Sequence, residues 1–332
     1  MLIAGDIGGT KTDLAIYSTE TGPRRPVAEV QVRSADYPSL QAMVAEFLDQ
    51  VKIRVEVASF DVSGPVIDGS VKTTNLPWVM DEISLAKELK LRAVHLMNDL
   101  EAVARAVPLL RDADLLTLNQ GVLATNGAIA IVAPGTGLGE SFLTWDGTGY
   151  VAHGSEGGHS DFAPTDERQV RLLSYLLKRF DHVGFERVCS GIGIPNIYEY
   201  LRDEEGLRED PDVARMIASA SDRTKAIVEA ALGPVRPSEL CKATVEMTVS
   251  ILASEAGNLA LKVLATGGVY LTGGVALHLL PVLHDLGFMQ TFARKGRFEE
   301  LMRRIPVHVI TTRAALLGAA NYGLESLVRY RD

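Results

Sequence analysis

The chain has 332 residues, 47% of them hydrophobic, and a formal net charge of −9; that is enough apolar material for about two domains with separate cores. Lys and Arg are scattered rather than clustered, which argues against nucleic acid or an anionic membrane as a partner. Cys189 and Cys241 form neither a disulfide framework nor a metal-ligand spacing, so a reducing, cytoplasmic setting without structural zinc is expected. No targeting segment is expected before Gly5. No membrane span is expected either, because the most apolar later stretch, 259–283, is broken by Lys262 and four glycines.

Residues 2–4, 14–17 and 27–32 predict three sequential strands in an antiparallel meander, the first two joined by Gly5-Asp6-Ile7-Gly8-Gly9-Thr10. Gly8 and Gly9 can take backbone angles closed to other residues and let main-chain N–H groups and the Thr10 hydroxyl approach an anion. Asp6 at the strand end suits a hydrated Mg²⁺. An ordinary glycine hairpin reads equally well from this segment alone. A P-loop does not: it needs glycine at Thr10 and a helix afterwards, where Leu14 and Ile16 continue an alternating pattern. A helix over 38–51 follows, with Leu40, Met43, Val44, Phe47 and Leu48 on one face, then buried strands at 55–60 and 94–97. Asn98-Asp99 leads into a helix over 100–110, where an Asp is most often an N-cap.

Residues 129–150 repeat the opening device, with strand 129–133, turn Pro134-Gly135-Thr136-Gly137-Leu138-Gly139 and strand 141–145. The turn invites comparison with a dinucleotide fingerprint, but its spacing is G-x-G-x-G, and Phe142, Trp145 and Tyr150 suit strand rather than a crossover helix. Two strand-glycine-strand units suggest two similar α/β halves. From 160 onward the pattern is mostly helical, for instance 169–180 and 242–264, and the acidic stretch 202–211 reads as a mobile surface insertion. Residues 267–276 form an apolar strand between glycine pairs, a candidate nucleotide platform. Near the end, 305–311 is a strand and 314–330 a helix that returns to the first half.

Asn75, Asn98, Asp99, Glu156, His159 and Glu186 are the polar candidates for a small neutral ligand. A polyol needs such mixed donors and acceptors, since each hydroxyl exchanges its water bonds for protein ones. His159 taken singly reads as a structural histidine or an isolated metal ligand; His153, six residues away, is not at a metal spacing, and there is no H-E-x-x-H.

In order along the chain, the set resembles the bacterial ATP-dependent glucokinases outside the repressor/open-reading-frame/kinase group, within the hexokinase and actin-like ATPase superfamily. The carrying motifs are G-D-I-G-G-T at 5–10, T-N-L-P-W at 74–78, N-D at 98–99, G-T-G-L-G at 135–139, G-S-E-G-G-H-S-D-F-A-P at 154–164, E-R-V-C-S-G at 186–191, G-N-L-A-L at 257–261, the glycine run 267–274 and K-G-R-F at 295–298. The resemblance implies a two-domain α/β actin-like (ribonuclease H-like) fold with the active site in the interdomain cleft. The small domain would be 1–109 plus 312–332 and the large one 110–311. It implies transfer of the ATP γ-phosphoryl group to the 6-hydroxyl of D-glucose, the first step of glycolysis. Asn75, Asn98, Asp99, Glu156, His159 and Glu186 would hold glucose, with Asp99 the catalytic base. Gly5, Asp6, Ile7, Gly8, Gly9, Thr10, Gly135, Thr136 and Gly137 would embrace the phosphates, Gly273 and Gly274 would lie beside the nucleoside, and Asp6 would hold Mg²⁺ through water. A homodimer is also implied.

Lys11 stands where many relatives have Asn, which leaves donor preference less defined than sugar preference. A kinase of another hexose and a sugar-responsive regulator on the same fold are the rival readings; intact Asp99 and both glycine turns favour catalysis. Asp99 at a helix N-terminus is expected to stay ionised and to orient the hydroxyl for in-line attack. Water competes with glucose as acceptor, so the cleft is expected to close only around sugar. Small-angle scattering should therefore show a smaller radius of gyration with glucose than without; identical dimensions count against closure.

Overall fold

Gly5 and Asp6 prolong the opening apolar run, so in the structure, a computed structural model describing residues 1–73, 76–233 and 238–330, β1 is Leu2–Ile7 and β2 is Lys11–Tyr17. They pair antiparallel with Ile7 opposite Thr12, and β3 (Ala28–Arg33) adds antiparallel to β2. β4 (Val57–Val62) runs parallel to β1. Two short strands, β5 (Ser70–Lys72) and β6 (Val79–Asp81), form a separate antiparallel ladder. β7 (Ala93–Asn98) lies parallel to β4 and completes a sheet of order β3-β2-β1-β4-β7.

Helices cover both faces of this sheet. Ser39 accepts a hydrogen bond from Ala42 N–H, so the first helix starts at Leu40 and runs to Val51 rather than from Pro38. Its Leu40, Met43, Val44 and Phe47 pack with Leu85 of the Glu82–Leu89 helix against Ile3, Phe60 and Leu96. On the other face, Ala319, Ala320, Leu324 and Leu327 of the Ala314–Arg329 helix pack on Leu2, Ala4 and Val57, together with Ala102 of the Asp99–Ala106 helix. These two helices meet backbone to backbone, because a methyl group at Gly318 would overlap the Ala102 carbonyl. This makes one compact unit of residues 1–111 and the segment from Thr312 onward; residues 112–311 make a second.

The second unit repeats the plan. β8 (Leu115–Asn119), β9 (Ile129–Pro134), β10 (Leu138–Trp145), β11 (Tyr150–Ser155), β12 (Val269–Leu271) and β13 (Val307–Ile310) form a sheet of order β11-β10-β9-β12-β13-β8. β9 and β10 make an antiparallel hairpin like β1 and β2, which excludes the dinucleotide crossover, and β12 is parallel to β9. The 25-residue Glu239–Val263 helix is buried along most of its length, its polar members Thr244, Thr248, Ser254 and Glu255 included. It is walled by the Ile194–Asp203, Arg223–Leu232 and Phe288–Ala293 helices.

The acidic stretch 202–211 is tied to its surroundings by specific partners. Glu205, half-buried or less exposed still, takes a bidentate bond from Arg168 and one from the Tyr200 hydroxyl, Glu209 accepts from the Tyr198 hydroxyl at 2.7 Å, and Asp210 caps the Pro211–Ser219 helix. Composition signalled solvation; pairing with cations and phenols holds the segment to the fold instead. Among the described residues no helix is long and apolar enough to cross a membrane, and both cysteines are free and buried.

The Gly318 contact leaves no room for adjustment by side-chain rotation, since its partner is a main-chain carbonyl. Gly318→Val should cost about 3 kcal/mol, at the upper end of overpacking penalties, and lower the urea midpoint. An unchanged midpoint would show that the two helices are not in contact as described.

Candidate active site

Register gathers acids at one end of the first sheet. Asp6 lies opposite Asp61 across β1 and β4, and Val62 lies opposite Asn98 across β4 and β7, so Asp6, Asp61 and the Asn98-Asp99 pair stand at the same ends of three neighbouring parallel strands. Asp61 is wholly buried, and no group of the described residues satisfies its carboxyl oxygens unless a proton lies between it and Asp6. Burial pushes Asp61 well above the usual carboxylate range, helped by repulsion from Asp6 and Asp99. Asp6 is pushed up to about 6, first by burial; the bond from Asp61 and the charge of Arg313 act the other way.

Two opposing influences act on Asp99. Its carboxylate accepts from Leu100 N–H at 2.9 Å and from Ser63 Oγ at 3.4 Å, yet burial outweighs these bonds and raises it above the ordinary aspartate value. The helix terminus therefore does not dominate, and the carboxylate is a better proton acceptor than a dipole-stabilised one. The cap itself is Asn98, not Asp99: Asn98 Oδ1 accepts from Leu100 N–H at 2.9 Å and Nδ2 donates to Gly64 O at 3.0 Å. The Asn98 side chain also bonds to the Asp99 carboxylate, which opposes the rise caused by burial. Asn75 lies outside the described residues.

The β1–β2 tip is closed by Gly8 N–H donating to Lys11 O at 3.0 Å. Gly8 is required by space rather than by a left-handed angle, since a methyl there would meet that same oxygen. Ser34 holds the tip from the side, its Oγ donating to Gly8 O at 2.6 Å and its N–H to Thr10 O at 3.1 Å. Thr10 and Lys11 are exposed.

In the second unit the Gly135-Thr136-Gly137 turn is clamped by Gly191 N–H on Gly135 O at 2.8 Å and Ile192 N–H on Thr136 O at 3.1 Å. Glu186 lies against it: Oε2 accepts from Leu138 N–H at 3.1 Å, and a methyl at Gly137 would overlap that oxygen. Gly273, at φ 91°, passes Pro134 O too closely for a side chain, and the Gly274–Leu283 helix starts behind it with no side-chain cap. Gly135, Thr136, Gly137, Glu186, Gly273 and Gly274 thus form one neighbourhood. Glu156 and His159 flank the Gly157–His159 turn with exposed side chains, Nε2 4.0 Å from Oε2. His159 and Glu186 line a common cavity of about 420 Å³, with His182 and Arg187 on its wall.

The sequence profile of the glucokinases matches residues 3–326. This chain belongs to the glucokinase family. It is 40% identical to the glucokinase of Trichormus variabilis over 96% of this chain and 98% of that one. A crystal structure of glucokinase from an Antarctic psychrotroph superposes with a TM-score of 0.83 at 29% identity, covering 98% of both chains. The Streptomyces griseus glucokinase solved with glucose and AMPPNP shares the fold, at a TM-score of 0.64 and 18% identity over 98% of this chain and 99% of that one. The chain is accordingly an enzyme that phosphorylates glucose on the actin-like ATPase fold of the sugar kinases.

Several residues that shape this glucokinase went unnoticed in the sequence: Ser34 behind the tip, Asp61 and Ser63 beside Asp99, and Glu140 and Glu255 in the second unit. Asp61 did carry a signal, as the one charge in the otherwise buried run Val-Ala-Ser-Phe-Asp-Val. Ser34 carried none, because its role depends on a contact 26 positions away. Ser34→Ala should cost about 1 kcal/mol of stability, the usual worth of one hydrogen bond, and raise the KM for ATP more than that for glucose. Equal changes in both constants would detach Ser34 from the nucleotide side.

Proposed function

We propose that this glucokinase transfers the γ-phosphoryl group of MgATP to the 6-hydroxyl of D-glucose, with Asp99 as the proton acceptor. The observation that carries the assignment is the Asp99 carboxylate itself, fixed by Leu100 N–H and Ser63, raised by burial, and one strand away from Asp61. A loose phosphoryl-transfer transition state asks for alignment more than for a strong base. Asp99 would align the hydroxyl and take its proton as the O–P bond forms and the bond to the β-phosphate oxygen breaks, leaving glucose 6-phosphate and ADP.

Asn75, Asn98, Glu156, His159 and Glu186 would hold the sugar hydroxyls. Gly5, Asp6, Ile7, Gly8, Gly9 and Thr10, together with Gly135, Thr136 and Gly137, would cradle the phosphates with main-chain N–H groups, with Gly273 and Gly274 beside the nucleoside. The buried, incompletely compensated Asp6–Asp61–Asp99 cluster fits a nearby dication. Among the described residues no group of three or more His, Cys, Asp or Glu could ligate one directly, so Asp6 would act through a water of a nucleotide-bound ion. Mg²⁺, when bound, neutralises charge developing on the β- and γ-phosphates. The nucleotide assignment is supported by the AMPPNP complex of the Streptomyces griseus protein. We further propose, from family resemblance, a cytoplasmic homodimer that serves glycolysis, with the two compact units as its two domains.

Asp99→Asn should lower kcat by roughly 10²-fold or more, the scale of a lost acid–base group, while glucose binding survives in part. In the unsubstituted enzyme the base is active when unprotonated, so kcat should fall as pH drops through a value above the ordinary aspartate range of about 3.9. Near-normal turnover in Asp99→Asn across that pH range would remove Asp99 from the mechanism.

A further inference from the structure

A second acid pair lies under the turn that carries Glu156 and His159. Glu140, on β10 opposite Ser155 of β11, is 1% exposed, and Glu255, on the Glu239–Val263 helix, is 0% exposed. Gly157 rests on Glu140 so closely that a methyl there would overlap Oε2. Neither Glu140 oxygen, nor Glu255 Oε1, has a hydrogen-bond partner unless a proton lies between the two side chains. The other Glu255 oxygen accepts from Asn258 Nδ2 at 2.9 Å, and Asn258 Oδ1 accepts from Lys295 Nζ at 2.6 Å; that lysine also donates to Ser254 O at 2.9 Å. A continuous polar chain therefore runs from Lys295 through Asn258 and Glu255 to Glu140 and ends against Gly157.

The groups facing this pair leave one negative charge compensated and a second one not. Lys262 Nζ is 3.7 Å from Glu255 Oε1, and Lys295 adds a more distant positive charge. The buried Cys189 thiol feels both glutamates and Glu186. Two carboxylates in contact within a low-dielectric interior cannot both ionise without strong repulsion, whereas one proton between them makes a charge-assisted bond.

We propose that Glu140 and Glu255 share one proton and in that state prop the Gly157 turn, so that they are positioning residues for the sugar-binding pair Glu156 and His159. The inference rests on the assignment of Glu156 and His159 to glucose. Burial holds both glutamates above the ordinary range. For a carboxyl raised on folding, the proton is retained at low pH and lost as pH rises through the raised value, so the pair's support is present at neutral pH and withdrawn on the alkaline side. Once both side chains are charged, repulsion acts between Glu255 on a long buried helix and Glu140 on β10, and the Gly157 turn that rests on Glu140 is the part that gives way.

The test measures kcat and both KM values against pH for the unsubstituted enzyme, Glu140→Gln, Glu140→Ala, Glu255→Gln and Glu156→Ala, with infrared spectra of the carboxyl region. The KM for glucose should climb at alkaline pH while that for ATP does not. Glu140→Gln, whose amide donates to Glu255 at any pH, should keep the neutral-pH glucose KM and abolish the climb. Glu140→Ala should raise the glucose KM roughly tenfold, about the worth of one misplaced hydrogen bond, with a smaller change in kcat. The infrared difference spectrum between the unsubstituted enzyme and Glu140→Gln at neutral pH should show the loss of one protonated-carboxyl C=O component, the contribution of the Asp6–Asp61 pair staying in both. If Glu140→Ala does not fold, the two Gln variants decide. An alkaline climb unchanged in both Gln variants, or no loss of a protonated-carboxyl component in Glu140→Gln, overturns the pair's role while a raised KM in Glu156→Ala keeps the sugar assignment; an unchanged KM in Glu156→Ala overturns both.

Discussion

Carboxylates brought together inside the protein are the constraint around which both units are built. In the first unit, parallel pairing of β1, β4 and β7 gathers Asp6, Asp61 and Asp99 at the same strand ends, and their mutual repulsion adds to the cost of burial. A fold governed by stability alone would place Val or Ile at Asp61. Retaining three acids leaves Asp99 readier to accept a proton than a carboxylate in water.

The second unit sets acids against bare backbone instead. Gly137 lies on Glu186, Gly157 lies on Glu140, and Gly273 lies on the Pro134 carbonyl. In each place the missing side chain lets two segments approach within hydrogen-bonding range, so the position of a turn is fixed by an oxygen rather than by apolar packing. Glu186 thereby joins the cavity that it shares with His159 to the Gly135-Thr136-Gly137 turn, through its bond from Leu138 N–H. The two sheets share a hairpin followed by parallel strands, but the first concentrates charge at strand ends and the second spreads it over turns.

Departures from expectation have a common origin in the environment of charged groups. The segment 202–211 has the composition of a solvated loop, yet Arg168, Tyr198 and Tyr200 supply its partners. Asp99 has the sequence position of a dipole-stabilised acid, yet the desolvation of its carboxyl outweighs the N–H groups around it. Composition and helix position describe what a residue contributes. They do not describe how much water it keeps, which decides both cases.

By itself the sequence determined what depends on near neighbours: the two strand-glycine-strand hairpins, the strand-to-helix junction at Asn98-Asp99, the return of the last helix, and the ordered motifs that point to a glucose kinase. Alternation, glycine pairs and caps act over a few residues and are written locally. Only the tertiary structure decided that Asp61 stands beside Asp6, that Ser34 holds the Gly8 carbonyl, and that Glu140 and Glu255 meet beneath Gly157. Those meetings join residues far apart along the chain, and their energies come from the exclusion of water, a property of the packed interior that no local pattern contains.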